Sequence, residues 1–414
     1  MIRKSALLLG LPVMLALSAC SDEPDTAPAA EASASAAPAA DDNLADAMRS
    51  NDRGDAEGVD IPDSEPRPMM QAQVVLDRLG FSPGVIDGKT GISTRNALEA
   101  FQEANSLPTS GELDNATRQA LARWTDIAAT RVVTIPEDFA IGRFEKVPED
   151  PADQAKMTRL GYESLDEKLA ERFHTTVETL KMLNPNGMPA TSAPAAGATP
   201  SATASPSPTP TPTHTASART PASGASTVAE AGPVSFFKAG QQIRVPNIGA
   251  DFIDAKAEIE DDWLDTLRML GVGTDQPEAA RIVVDKSDST LKAYDAQDKL
   301  IAAFTITSGS QHDPLPLGDW KILGIAHNPP FAYDPSLFWD VPDSEEKQQL
   351  PPGPNGPVGV VWIDLSKEHY GIHGTPHPET IGRAESHGCV RLTNWDAARL
   401  AEMVSQKTKV LFQA

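Results

Sequence analysis

Residues 371–398 read "GIHGTPHPETIGRAESHGCVRLTNWDAA". The stretch contains three histidines, His373, His377 and His387, and one of only two cysteines in a chain of 414 residues. A metal site, a buried inert thiol and an activated nucleophile are the three uses that this combination allows. Which of them applies decides what kind of domain surrounds the stretch.

Metal binding is the use that the spacing favours least. His373, His377, His387 and Cys389 offer three nitrogens and one sulfur, but the prolines on both sides of His377 argue against a helix that displays two histidines on one face. A buried, inert thiol is the common fate of cysteines. Cys389, however, lies in the polar segment "SHGCVR", whose cationic side chains predict an accessible thiol with a lowered pKa. A nucleophilic Cys389 with His373 as its base fits best, provided that the loop between the two residues brings Cys389 back to His373.

The sequence around this stretch predicts a mostly β domain over residues 279–413. Alternating apolar and polar residues predict strands in "RIVVDKSDSTLKAYDAQDKLIAAFTITSG", "GDWKILGIAHN", "VGVVWIDL", "HYGIHGT" and "TKVLFQ". The segment "TNWDAARLAEMV" predicts one late amphipathic helix that begins at Asn394. A further helix, predicted for "DDWLDTLRML", connects this domain to the preceding region.

The motifs of this domain resemble those of the L,D-transpeptidase catalytic domain of the YkuD family. The resemblance is carried by "HGT" followed by "SHGCVRL", together with "PLGDW" and "NPPF". It implies that Cys389 is the nucleophile and that His373 accepts and returns a proton. The backbone carbonyl of Gly374 would orient His373, and the N–H groups of Gly388 and Cys389 would form an oxyanion hole.

The resemblance also implies a substrate and a reaction. Ser386, His387 and Arg391 match the substrate-binding positions of the family. Cys389 would attack the L,D bond of a peptidoglycan tetrapeptide stem, release D-alanine and leave a thioester. An amine of a second stem or of an envelope protein would then accept the acyl group, whereas water would make the enzyme an L,D-carboxypeptidase. No cofactor and no metal are implied.

Two further modules are expected before the catalytic domain. Residues 66–125 predict three short helices and resemble the peptidoglycan-binding domain type 1 through Asp87-Gly88, Gly91, Thr94, Phe101-Gln102, Gly111 and Thr117. A helical spacer is the alternative. Residues 158–249 resemble a LysM-like α+β module, interrupted at about 189–233 by a Pro/Thr/Ser/Ala-rich insert that is expected to be disordered. His174 and His214 are expected on the surface.

The N-terminal residues predict export and a membrane anchor. Residues 1–20 have a basic start, an apolar stretch and the lipobox-like "LSAC", so that Cys20 is the expected lipidation site. An ordinary cleaved signal peptide with an incidental cysteine is the alternative. Residues 21–65 are rich in Ala, Asp, Pro and Ser and predict a disordered tether. Ser21 is not the aspartate associated with retention in the inner membrane, so we expect the periplasmic face of the outer membrane.

The charge of the chain limits its partners. It has 58 acidic and 35 basic residues, a formal net charge of −23, which argues against nucleic-acid binding. The expected partners are therefore peptidoglycan stem peptides and glycan, a membrane through the lipid anchor, and an envelope protein as a possible acyl acceptor. A non-catalytic lipoprotein that binds peptidoglycan is the alternative from another functional class.

Overall fold

The computed structural model describes residues 61–190, 234–249, 253–254, 259–339, 341–342 and 344–414. The predicted signal peptide, the lipidation site Cys20, the tether up to residue 60 and the insert over 191–233, with His214, lie outside these residues. Among the described helices, none is long and apolar enough to cross a membrane.

The first module is the predicted group of three helices. They are α1 Pro68–Arg78, α2 Ile92–Ala104 and α3 Asn115–Leu121. Two buried glutamines hold the turns between them. Gln73 accepts from the N–H of Gly88 at 2.7 Å and donates to Thr94 at 3.0 Å, while Gln102 does the same with Gly111 at 2.9 Å and Thr117 at 2.8 Å. These contacts explain why Gly and Thr recur in both turns.

The middle segment pairs two strands that are distant in sequence. Its elements are β1 Thr130–Thr134, α4 Glu137–Ala140, α5 Pro151–Gln154, α6 Leu165–Arg172, α7 Val177–Leu183 and β2 Gln242–Pro246. Strands β1 and β2 are antiparallel, with Thr130 opposite Pro246. Helices α6 and α7 and strand β2 lie within residues 158–249. Strand β1 lies before residue 158 and pairs with β2 from beyond the insert.

The C-terminal part forms one mixed sheet of eight strands. After helix α8 Asp261–Leu270 follow β3 Arg281–Asp285, β4 Thr290–Tyr294, β5 Leu300–Thr305, β6 Gly318–His327, β7 Phe331–Tyr333, β8 Gln348–Leu350, β9 Val361–Leu365, β10 Gly371–His373, β11 Val390–Arg391, α9 Asn394–Met403 and β12 Lys409–Gln413. The strand order is β11-β10-β9-β6-β12-β3-β4-β5, and β7 pairs with β8 separately. The predicted mostly β domain with one late helix is confirmed. Helix α9 begins at Asn394, as predicted, and its cap is Thr393, whose hydroxyl accepts from the N–H of Asp396.

The N-terminal module covers one edge of this sheet. Ala303 of β5 donates to the carbonyl of Gly80 at 3.0 Å and accepts from the N–H of Ser82 at 2.9 Å. An uncovered edge strand would offer unpaired backbone groups to other chains. The module therefore supplies backbone partners for Ala303 on this edge of β5.

The three segments also meet in a buried polar cluster around helix α9. His174 is fully buried, which makes the expected surface position wrong. Its ring stacks on Trp395 at 5.0 Å, and its Nδ1 lies 3.2 Å from the carboxylate of Asp77. The histidine is buried because the turn between α6 and α7 brings it against Asp77 of the first module, Leu270 of α8 and Trp395 of α9, which local sequence does not reveal.

Candidate active site

The candidate site is built on β10 and β11, at one edge of the sheet. The two strands are parallel, with Ile372 opposite Val390 and His373 opposite Arg391. Ile372 and Val390 are fully buried in the core. Because successive side chains of a strand point to opposite faces, His373 and Arg391 lie on the other face, and Cys389 directly precedes β11. The loop between β10 and β11 brings the chain back beside β10, as the nucleophile hypothesis requires.

The imidazole of His373 has one defined tautomer. The residue is buried, and its Nδ1 lies 2.7 Å from the backbone carbonyl of Gly374. A carbonyl oxygen can only accept, so Nδ1 carries the hydrogen and Nε2 presents a lone pair. Burial, and after it the charge of Arg391, lowers the pKa of His373 to about 3. The ring is therefore neutral and able to accept a proton at Nε2.

The indole ring of Trp362 packs against the imidazole of His373. Trp362 of β9 stands opposite His373 in the sheet, and the two rings stack at 5.5 Å with an angle of 22° between their planes. Gly371 makes this possible, because a Cβ atom there would lie 2.5 Å from the indole of Trp362. The stack and the Gly374 carbonyl together limit rotation of the His373 ring.

Cys389 is half-buried, and its thiol is protonated in the resting structure. Sγ donates to the backbone carbonyl of His369 at 3.7 Å. Burial raises the pKa of the thiol, and the opposing effects of the Gly371 N–H and of Arg391 do not outweigh it. The predicted lowering of the pKa by cationic neighbours is therefore wrong, because neighbouring letters in the sequence do not show how far the sulfur is removed from water.

The backbone at Gly388 requires glycine for two reasons. Its φ is +101°, a value that side chains with a Cβ rarely adopt. A Cβ atom at this position would also lie 2.5 Å from the ring of Tyr370. None of the hydrogen bonds within the described residues uses the N–H groups of Gly388 or Cys389. These two donors are thus free to meet an oxygen atom of a ligand.

Ser386 serves the structure of the loop. It is buried, and its hydroxyl donates to the backbone carbonyl of Cys389 at 2.6 Å. The hydroxyl is thereby committed to the turn that presents Cys389. This contact argues against the expected direct contact of Ser386 with substrate.

His387 faces an aromatic wall. Phe338 meets its ring edge-on at 5.0 Å, and Trp339 lies at 6.2 Å. Trp339 also stacks on His312 at 4.3 Å and leaves 58% of its surface exposed. The wall follows β7 and adds an exposed apolar surface beside the site, which the sequence analysis did not assign.

The remaining histidines of the stretch and its surroundings are separate from this arrangement. His377 is exposed and lies 3.8 Å from the carboxylate of Glu379. His327 stacks on Trp263 at 4.2 Å. Within the described ranges, no group of three or more His, Cys, Asp or Glu side chains is arranged to hold a metal ion.

Sequence reasoning missed two aromatic residues of the site. Trp362 covers His373, and Tyr370 packs on Gly388. Tyr370 has a raised pKa because it is partly buried and because Asp313 and Cys389 are near. The only signal in the sequence was the alternation of "VVWIDL", which places Trp362 on the face opposite to Ile363. It does not reveal which strand lies next to it.

Two family profiles match the chain. Residues 279–411 match the family described as "L,D-transpeptidase catalytic domain", YkuD, and residues 67–121 match the "Putative peptidoglycan binding domain" family, type 1.

Proteins named as L,D-transpeptidases are similar in sequence to part of this chain. A protein of Bacillus licheniformis named "Putative L,D-transpeptidase YkuD" is 34% identical over 130 residues, which are 31% of this chain and 63% of that protein. "Probable L,D-transpeptidase YbiS" of Escherichia coli K12 is 43% identical over 63 residues, 15% of this chain and 20% of that protein. The match thus spans less than two thirds of the length of either relative.

Among solved structures, an L,D-transpeptidase from Mycobacterium smegmatis shares 23% identity and a TM-score of 0.28, covering 33% of this chain and 59% of that one.

The family matches, and the relatives that align with the same region, lead to one conclusion. The chain contains a YkuD-type L,D-transpeptidase catalytic domain and, before it, a peptidoglycan-binding domain of type 1.

Proposed function

We propose that the whole chain is a peptidoglycan L,D-transpeptidase in which Cys389 is the nucleophile and His373 the general base. The observation that supports the proposal is the parallel pairing of β10 with β11, which sets His373 opposite Arg391, two residues after Cys389, while the N–H of Gly371 in β10 bonds to the thiol. The Gly374 carbonyl occupies Nδ1–H of His373, which leaves the lone pair at Nε2 available as a base. A nucleophile, a base and a group that orients the base are the requirements for covalent acyl transfer.

In the first step of the proposed reaction, the neutral thiol of Cys389 attacks the substrate with the neutral imidazole of His373 as its base. The raised pKa of the thiol and the lowered pKa of His373 disfavour a resting thiolate–imidazolium pair. The thiol turns from the His369 carbonyl toward the substrate, and its proton passes to Nε2 as Sγ bonds to the carbonyl carbon of the L,D peptide bond. The N–H groups of Gly388 and Cys389 stabilise the resulting oxyanion.

The second step returns the proton and forms the thioester. Nε2 of His373 protonates the leaving nitrogen of D-alanine as the C–N bond breaks, which leaves an acyl group on Sγ. An amine from a second stem, or from an envelope protein, then attacks the thioester and gives its proton to Nε2 of His373. The C–S bond breaks, and the Cys389 thiolate that leaves takes this proton back. Arg391, on the same face, stabilises the carboxylate or oxyanion charge that develops there. His387 and the wall of Phe338 and Trp339 border the substrate.

The match of residues 67–121 to a peptidoglycan-binding family supports a role at the cell wall, where enzymes associated with peptidoglycan act. We propose that the middle segment is a LysM-like module, with the domain limits 66–125, 158–249 and 279–413 given by the sequence. We also propose that the chain is exported, lipidated on Cys20 and held at the outer membrane. Metabolic labelling with an alkyne fatty acid, lost in a Cys20→Ala chain, tests the anchor. Fractionation of the membranes tests its location.

Incubation of the full chain with a disaccharide-tetrapeptide, followed by mass spectrometry, tests the reaction. We expect loss of D-alanine, an acyl adduct on Cys389 and cross-linked dimers, all absent with Cys389→Ala. Tripeptide without dimers would identify an L,D-carboxypeptidase. Neither product nor adduct, with a folded protein, would leave the non-catalytic peptidoglycan-binding lipoprotein as the function.

A further inference from the structure

We propose that Glu171, in helix α6 of the middle segment, is a positioning residue for the catalytic histidine, acting through Asn394 and the peptide of Gly374. The inference rests on the proposed transpeptidase reaction. Glu171 lies outside residues 279–411, so the family match assigns it no role.

The first link joins Glu171 to Asn394. Both residues are buried, and Nδ2 of Asn394 donates to Oε1 of Glu171 at 2.7 Å and to the carbonyl of Pro354 at 3.1 Å. Its Oδ1 accepts from the N–H of Val360 at 3.3 Å. The amide nitrogen thus faces two acceptors and the oxygen faces a donor, which fixes the orientation of the amide. Glu171 supplies one of these three restraints from another segment of the chain.

The second link joins Asn394 to the peptide that follows His373. A Cβ atom at Gly374 would lie 2.2 Å from Oδ1 of Asn394, and one at Gly359 would lie 1.9 Å from it. The amide therefore fills the space that a side chain would need at either glycine. The same hypothetical Cβ atom of Gly359 would lie 2.9 Å from the carbonyl carbon of Gly374. The Gly374 peptide is thus held between Gly359 and the Asn394 amide.

The third link is the bond from the Gly374 carbonyl to Nδ1 of His373, at 2.7 Å. A change in the direction of this carbonyl changes the ring orientation and the tautomer on which the proposed proton transfer depends. Removing the acceptor at residue 171 leaves a buried N–H of Asn394 without a partner, which costs more than a lost hydrogen bond between exposed groups. The amide will then turn, and it will release the Gly374 peptide that it packs against.

A second contact of Glu171 provides an internal control. The hydroxyl of Tyr162 donates to Oε2 of Glu171, on the side away from Asn394. Loss of this hydroxyl leaves the link between Glu171 and Asn394 in place. A role limited to packing of the segment would make the two contacts equivalent, whereas the positioning role makes only the Asn394 contact matter for His373.

The test compares full-chain variants by two measurements. Glu171→Leu removes the acceptor at similar size, Glu171→Gln keeps a carbonyl oxygen for Asn394, Tyr162→Phe removes the other contact, and Glu178→Gln changes an exposed glutamate of helix α7. The first measurement is the Nδ1–H proton resonance of His373 in protein labelled with ¹⁵N-histidine, assigned by its loss in His373→Gln. The second is kcat and KM with a disaccharide-tetrapeptide.

We expect Glu171→Leu to shift or broaden the His373 resonance and to lower kcat about tenfold, with KM nearly unchanged. Glu171→Gln, Tyr162→Phe and Glu178→Gln should resemble the wild type in both measurements. An unchanged resonance and kcat in Glu171→Leu would overturn the inference, as would equal effects of Tyr162→Phe.

Two further points keep the test decisive. If Glu171→Leu does not fold, Asn394→Asp replaces the donor by an acceptor that faces Glu171, and the same shift is expected. The resonance does not depend on turnover. A wild type that shows the resonance but no acyl transfer would therefore refute the proposed function, while the response to Glu171→Leu would still decide the positioning role.

Discussion

Arg399 of helix α9 donates to the backbone carbonyl of Asp77 at 3.0 Å and to its carboxylate at 3.4 Å, although the two residues belong to different predicted modules. Both side chains are buried, and His174 of the middle segment faces the same carboxylate. Burial by itself raises the pKa of Asp77, but Arg399 and then His174 outweigh it and hold the pKa at about 2. The peptidoglycan-binding and catalytic modules are thus joined through a buried charge cluster.

The first prediction concerns this cluster. Asp77→Asn removes the buried carboxylate that pairs with the Arg399 guanidinium, so we expect the free energy of unfolding to fall by about 3 to 5 kcal/mol at neutral pH. Since the folded pKa lies below the ordinary value, the carboxylate contributes its full stability above about pH 4 and loses it as the pH falls toward 2. Urea unfolding at several pH values measures both effects.

The matched control is Asp265→Asn, which removes an exposed ion pair with Arg268. We expect almost no change in the urea midpoint, because exposed pairs contribute little. Similar losses in both variants would contradict a special role of the buried cluster.

The second prediction concerns the pH dependence that Glu171 gives to stability. Burial raises its pKa to about 7, against the lowering effect of the hydrogen bonds from Tyr162 and Asn394. The folded state therefore holds a proton that the unfolded state loses above about pH 4.5, so that stability falls as the pH rises between these values. Glu171→Gln should remove this loss, which is on the order of 3 kcal/mol above pH 7.

Thermal unfolding from pH 4 to 8.5 measures this difference. Glu178→Gln, in which the lost carboxylate is exposed, should follow the wild-type curve. A Glu171→Gln curve parallel to that of the wild type would mean that the carboxyl group of Glu171 does not titrate in this range.

The third prediction concerns the resting state of the thiol. In a Cys20→Ser chain Cys389 is the remaining cysteine, and its alkylation by iodoacetamide reports its ionisation. Because burial raises the thiol pKa, we expect the rate to keep rising beyond about pH 9, and the native protein to react more slowly at pH 8 than the urea-unfolded chain. A plateau of fast reaction between pH 6 and 8 would instead reveal a thiolate–imidazolium pair.

The fourth prediction concerns Gly388. Gly388→Ala should lower acyl transfer by about a hundredfold, because the new Cβ atom collides with the Tyr370 ring next to the oxyanion donors. Gly318→Ala also places a Cβ at positive φ, here +128°, but meets nothing within 4 Å. Kinetics with the disaccharide-tetrapeptide should show near-normal transfer for Gly318→Ala. Equal losses would point to backbone strain in general and not to the collision.

Much of the catalytic domain was predictable from local patterns. The alternation in "RIVVD", "LKAY" and "VVWIDL" predicted strands that the structure has at β3, β4 and β9. The polar and glycine-containing segment around Cys389 predicted the candidate site and the need for a returning loop. These features depend on residues that are neighbours in sequence, so period and composition are enough to detect them.

Other features were set by contacts between distant residues. The thiol pKa of Cys389, the burial of His174 and the pairing of β1 with β2 across the insert all departed from the expectations or were missed. The first two depend on how much water is excluded by distant segments, and the third depends on backbone hydrogen bonds to a strand beyond the insert. No local pattern reports either.

The order of residues alone determined which chemical groups are present: the thiol of Cys389, the imidazole of His373 and the glycines between them, in a motif of the YkuD type. Only the tertiary structure decided the protonation states of that pair, and only it brought Glu171 and Asp77 to helix α9. The physical reason is that a proton's free energy depends on burial and on nearby charges in space, and folding alone sets both.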